Sequence, residues 1–225
     1  MRSLGLLKRK EILVPTWRGW VCLVAAIGVL ALTAILGTVP FLAVTRPVNA
    51  QVLVVEGWLP DYALAEAKKR FETHPYRALV VTGVPIEIGF HISQEKNYAQ
   101  LAASTLKHLG VDPAAIVVLP CPEVPRDRTY ATAQRVRAWL MSQPADTAID
   151  VVTLGVHARR TWLLYGIALG EKRRVGIVAA SDDRYDRDKW WRTSSGFRIV
   201  SSEAIAYFYA KVLFFPPAEP SAKDL

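Results

Sequence analysis

The chain is poor in the residues from which disulfide frameworks and metal sites are built. Of its 225 residues two are cysteines, Cys22 and Cys121, and four are histidines. Cys22 lies inside a long apolar run and Cys121 follows a strand-like run far along the chain, so the two do not suit a pair, and no Cys/His spacing suits a metal. HExxH, the GxSxG elbow, the Walker phosphate loop and the GxGxxG dinucleotide turn are all missing, which removes the sharpest motif-borne readings. Excess charge is also scarce where a nucleic-acid binder would need it. The formal net charge is +8, from 28 basic and 20 acidic residues. Arg2, Lys8, Arg9, Lys10, Arg18 and Arg46 precede Gln51 with only Glu11 among them, leaving 22 basic against 19 acidic residues, a balance of +3, beyond that point. That balance is too mild to imply nucleic acid as a partner.

Charge is wholly absent from Trp20 to Val44, a run of 25 residues. This exceeds the roughly 20 residues a helix needs to cross a bilayer, so a transmembrane helix is expected at 20–44. Basic residues crowd its N-terminal side, with Trp17 and Trp20 at that edge, and the positive-inside rule puts the N-terminus in the cytoplasm and the main domain outside. Val48-Asn49-Ala50 resembles a signal-peptide cleavage site, which leaves a cleaved leader as the rival. The apolar run is longer than leaders usually carry, and an anchor is the favoured reading. The expected organisation is a basic N-terminus (1–19), the helix (20–44), a linker (45–50), an α/β domain (51–215) and a flexible tail (216–225).

Hydrophobic residues make up 52% of the sequence, enough for one well-buried domain. Past the linker the pattern alternates between short apolar runs and stretches of helical period. QVLVVEG (51–57), RALVVTG (77–83), AAIVVLP (114–120), AIDVVTLG (148–155) and RRVGIVAA (173–180) read as strands. Between and after them helices are expected at 61–74, 93–110, 129–141, 157–170 and about 201–214. Asp61, Ser93 and Thr129 are the expected caps and Gly110 a terminator. Strands so uniformly apolar are covered on both faces, which predicts a Rossmann-like three-layer α/β domain with about five mainly parallel strands.

In such sheets ligands bind beyond the carboxyl ends of the strands. The residues there include GVHARR (155–160), in which Gly155 turns the backbone and His157 and Arg160 share the face of an opening helix. Cations at a helix N-terminus oppose its dipole, a cost that makes sense if an anion binds there; a cap paired with neighbouring acids is the alternative. A second basic turn, EVPRDRTYATA (123–133), offers Arg126 and Thr129. VTGVP (81–85) offers Thr82 and Gly83, where the backbone can approach a ligand. Glu56 is the one acid directly at a strand end, fit to be a general base, to bond a ligand hydroxyl, or to pair with an arginine. SDDRYDRDKWWR (181–192) lacks the spacing of a calcium loop and reads as a self-paired loop, with Trp190 and Trp191 in the core, over a ligand, or at the membrane interface. Glu203 is expected one turn into the last helix. His74, His91 and His108 fall in loops or at helix ends.

The apolar first strand, the Thr82-Gly83 turn, RDRTYATA and GVHARR occur in an order that resembles the bacterial family named for YdcF, SanA and ElyC, over most of the stretch from Gln51 to Phe214. VEGWLPDYA stands where many members carry a Gly-rich first turn with an Arg. The resemblance implies a Rossmann-like fold, often anchored in the inner membrane by one N-terminal helix, and a role in the cell envelope. Branches of the family are associated with cell-wall or polyprenyl-carrier metabolism, with barrier function and with S-adenosylmethionine binding. By position, Thr82, Gly83, Arg126, Thr129, His157 and Arg160 would line its ligand cleft, with Glu203 a further member. The expectation is an envelope protein that holds an anionic small molecule or a polyprenyl-phosphate-like headgroup. Arg126 and Arg160 would bind the anion, and His157 and Glu56 would handle protons. A non-enzymatic interaction protein and a methyl-donor binder are the alternatives; no metal is implied, and the cofactor and protein partners are left open.

Overall fold

The computed structural model of the chain describes residues 13–171 and 173–216. The basic residues expected at 1–12, and 217–225 of the expected tail, lie outside them. The chain divides after Gly37 into two compact units.

The first unit holds most of α1 (Trp17–Leu42), a 26-residue helix. Thr16 opens it, its Oγ1 accepting from Gly19 N at 3.3 Å, and at 1.5 Å per residue it is about 39 Å long. It is apolar and long enough to cross a membrane.

The second unit is a three-layer α/β domain. The strands β1 (Val52–Glu56), β2 (Ala78–Gly83), β3 (Ile116–Pro120), β4 (Ile149–Leu154) and β5 (Val175–Ala180) form one parallel sheet in the order β3-β2-β1-β4-β5. The helices are α2 (Asp61–Thr73), α3 (Tyr98–His108), α4 (Arg128–Leu140), α5 (Ala158–Leu169) and α6 (Ser194–Val212). Side chains alternate across the sheet as the two-residue strand period requires. Val52, Val54, Val80, Ile149 and Val151 pack with Ala133, Val136, Leu164 and Tyr165 of α4 and α5. Leu53, Val55, Leu79 and Val81 pack with Ala63, Ala67, Ala99 and Ala102 of α2 and α3. Small residues on α2 and α3 let both helices lie close over the strands.

The strands fall where the apolar runs predicted them and α2 begins at the expected residue, but its cap and three other helix starts differ. α2 is preceded by Pro60 at the cap position, and Asp61 belongs to its first turn. α3 begins at Tyr98, five residues after the expected cap Ser93. Asn97 caps it, accepting from Ala99 N at 2.8 Å while its amide donates to the Cys121 carbonyl. Residues 84–97 instead form a closed loop, in which the Lys96 amine ties the carbonyls of Phe90 and Ser93. α4 begins at Arg128 with Asp127 in the left-handed region, so Thr129 is inside the helix and not its cap. α6 begins at Ser194, capped by Thr193 Oγ1, which puts Glu203 mid-helix rather than in the first turn.

The expected linker is stitched to the sheet. Arg46 and Ile177 exchange backbone hydrogen bonds as an antiparallel bridge on β5, Val48 N donates to the buried Asp150, and Ala50 is buried. Tyr76 also donates to Asp150, at 2.8 Å.

Candidate active site

Three adjacent strands end in polar residues on the same face of the sheet. Glu56 follows Val52 and Val54 in parity, Thr82 follows Val80, and Thr153 follows Val151, so all three crown the layer shared with α4 and α5. The sheet order reverses between β1 and β4, and the carboxyl ends at such a point leave room for a ligand. A cavity of about 600 Å3 opens there. It is lined by eight of the nine residues the sequence singled out: Glu56, Thr82, Gly83, Arg126, Thr129, His157, Arg160 and Glu203.

The basic turn after β4 meets an anion supplied by the protein itself. His157 closes a short 3-10 turn ahead of α5, and Arg160 follows one turn on. Both reach the carboxylate of Glu203 on α6. His157 Nδ1 lies 3.0 Å from Glu203 Oε1, Arg160 Nε donates to Oε2 at 3.0 Å, and Arg160 Nη2 donates to Oε1 at 3.1 Å. Burial alone would raise the Glu203 carboxyl. The hydrogen bond and charge of His157, and then those of Arg160, outweigh it and hold the group down at about 2. Arg160, expected to bind a ligand anion, is thus engaged in a two-toothed ion pair. An ionised carboxylate only accepts, so its bond to Nδ1 takes the tautomer with the proton there, whereas Arg160 Nη2, also 3.0 Å from Nδ1, only donates and takes the other. In the first tautomer Nε2 carries the lone pair.

Nε2 is buried and has no hydrogen-bond partner. It lies 3.9 Å from Glu56 Oε2, beyond hydrogen-bond reach, and the Trp58 ring sits edge-on to the imidazole at 5.1 Å. Glu56 is itself buried and accepts a short hydrogen bond from Thr153. Thr82 Oγ1 is likewise buried without a partner. Two unsatisfied polar atoms on the wall of one cavity are costly, and a bound molecule that pairs with them removes that cost. The arrangement suits proton exchange at Nε2, with Glu203 stabilising the imidazolium that forms.

The second basic turn supplies the cavity rim. Arg126 is exposed and makes no ion pair among the described residues, whereas Arg128 pairs with Glu87. Thr132, one turn into α4, donates to the Thr129 carbonyl and also faces the cavity.

The two glycines have more to do with packing than with a ligand. A Cβ on Gly83 would lie 2.7 Å from Ala99 N, so its bareness admits the start of α3. Gly155 is the expected residue that does not line the cavity. Its φ is +46°, and a Cβ there would lie 2.9 Å from Asp182 Cβ, so it serves the turn and the close approach of the 181–192 loop. In that loop Asp182 pairs with Arg184, which reaches the cavity, while Trp190 is buried against Phe197 and Trp191 and lies apart from it.

Helix spacing puts Thr132 on the face of Thr129, whereas Trp58, Thr153 and Arg184 are contributors that the sequence did not single out as site residues. Strand parity with Glu56 was the available signal for Thr153. Nothing local marked Arg184. No protein-family model matches the chain, and no curated protein matches it.

Proposed function

We propose that this is a membrane-anchored envelope protein whose strand-end cleft binds a small anionic molecule and exchanges a proton with it. A phosphorylated lipid-carrier headgroup is the ligand class to test first. The observation that carries this reading is His157, held through Nδ1 by Glu203 with a buried, unpartnered Nε2 on the wall of the cavity. A ligand hydroxyl or water there would give its proton to Nε2, while Arg126 at the rim attracts the anionic group. Arg160 acts through Glu203 rather than on the ligand. The resemblance of VTGVP, RDRTYATA and GVHARR to the YdcF, SanA and ElyC family supports the envelope role. The charge asymmetry around α1 supports a cytoplasmic N-terminus and an extracytoplasmic domain.

The test is thermal stabilisation of the detergent-solubilised full chain by inorganic phosphate, pyrophosphate, a short-chain polyprenyl phosphate and S-adenosylmethionine. The anionic probes should raise the melting temperature of the wild type, and Arg126→Ala should weaken the effect. Stabilisation by S-adenosylmethionine alone would select a methyl-donor site, and no stabilisation by any probe would remove the cleft reading.

A further inference from the structure

The C-terminal half of α6 is apolar on its exposed side as well as its buried one, with Lys211 its one charged residue beyond Glu203. Ala210 is buried against the core, while Ile205, Phe208, Tyr209 and Val212 repeat at i, i+3, i+4 and i+7 on the side away from it. These four are between 47% and 70% exposed. Leu213 and Phe215 extend the patch and are exposed too. An apolar helix side belongs in an apolar surrounding, yet no described residue of the domain covers this one.

The same unit shows what lies beside it. Phe41, in the last turn of the apolar helix, packs edge-on against Tyr207 of α6 with ring centroids 5.4 Å apart. The Arg159 guanidinium lies 4.0 Å over the Phe41 ring, and its Nε donates to the Phe41 carbonyl. Next to this contact a shallow groove of about 440 Å3 runs between α5 and α6, floored by Trp162, Leu163 and Ile167. The apolar surface therefore continues from the end of α1 across the groove and around α6. Its polar members are Arg159, Arg198, Lys211 and tyrosine hydroxyls, and the one acid of α6, Glu203, points inward to the cleft. Aromatic rings with cations, and no acid among the described residues of the face, are what the headgroup boundary of an anionic bilayer accepts.

We infer that the α5–α6 face, centred on Phe208 and Val212, is a membrane-contact surface that rests in the headgroup and upper acyl layer of an anionic bilayer. This rests on the reading that α1 spans the membrane, and it adds a second contact belonging to the domain itself. It would bring the mouth of the cleft to lipid-borne ligands, since Glu203 of the site and Phe208 share one helix.

The experiment places an environment-sensitive fluorophore on single thiols of the full chain, reconstituted in phosphatidylethanolamine–phosphatidylglycerol vesicles with and without spin-labelled lipid. Native Cys22, in a Cys121→Ala background, reports on α1. Phe208→Cys and Val212→Cys, in a Cys22→Ala/Cys121→Ala background, report on the face, and Met141→Cys in the same background, exposed beyond α4, is the reference. The expected result is strong quenching at Cys22 and several-fold more quenching at 208 and 212 than at 141. Quenching at Cys22 with none at 208 and 212 overturns the surface and leaves the anchor standing, whether the labels then sit in water or crosslink to a second copy. Equal quenching at 208, 212 and 141 also overturns it. No quenching at Cys22 removes the anchor, and the inference with it.

Discussion

A carboxylate lodged between an imidazole and a guanidinium ties stability to pH in one direction. Glu203 has its folded value depressed from 4.5 to about 2, so its contribution is complete above 4.5 and is lost as pH falls through 2. The shift corresponds to about 3 kcal/mol. Denaturant unfolding of the wild type and Glu203→Gln should show the full difference at pH 7 and a shrinking one from pH 4.5 downward; a gap unchanged at pH 3 would mean that the ion pair does not set it. The same contact biases a tautomer, if the Glu203 acceptor outweighs the Arg160 donor that lies as close to Nδ1. With the ring neutral, nitrogen NMR should find the His157 proton on Nδ1 in the wild type and a mixture in Glu203→Gln, where the acceptor no longer carries charge. At this scale the sequence disclosed identities but not pairings. Gly155 to Arg160 advertised an anion, and the anion proved to be Glu203, 43 residues from Arg160 on a helix whose start was misplaced. A partner so distant leaves no local trace.

Strands and helices differed in how plainly they were written. Each apolar run became a strand because both faces of the sheet are covered, and only the buried Asp150 in β4 puts a charged residue within such a strand rather than at its end. Helix starts are set by one side chain bonding one backbone amide, and Ser, Thr, Asn and Asp compete for that role over several residues. Ser93 and Asn97 were both eligible before α3. Asn97 prevails because its amide also reaches the Cys121 carbonyl at the end of β3, a contact that exists only after folding. Asn97→Ala should cost about 1–2 kcal/mol, combining a lost cap with an orphaned carbonyl. Asn97→Asp keeps the cap and should recover part of it, as urea denaturation would show. Gly83→Ala forces a Cβ against the first turn of α3 and should cost about 1–3 kcal/mol. If thermal unfolding is unchanged, the helix is able to retreat at no expense.

For the whole molecule, composition and period sufficed for an α/β domain following an apolar helix, and for the end of the sheet at which a cavity would open. The stitching of the linker was beyond their reach, because Arg46 and Ile177 meet through backbone atoms that any residue possesses. A periplasmic-active reporter fused after Leu225 should be functional and a cytoplasm-active one silent; the reverse would invert the proposed topology. Limited proteolysis should spare 44–50, since its backbone is bonded to β5 and Asp150. That stitching also takes up slack. The segment from Ala43 to Gln51, if free and extended, would be a leash of about 30 Å. Sewn to the edge strand through Arg46 and Ile177 it has almost none, and the bare edge of β5 is covered at that point by the chain's own approach to the domain.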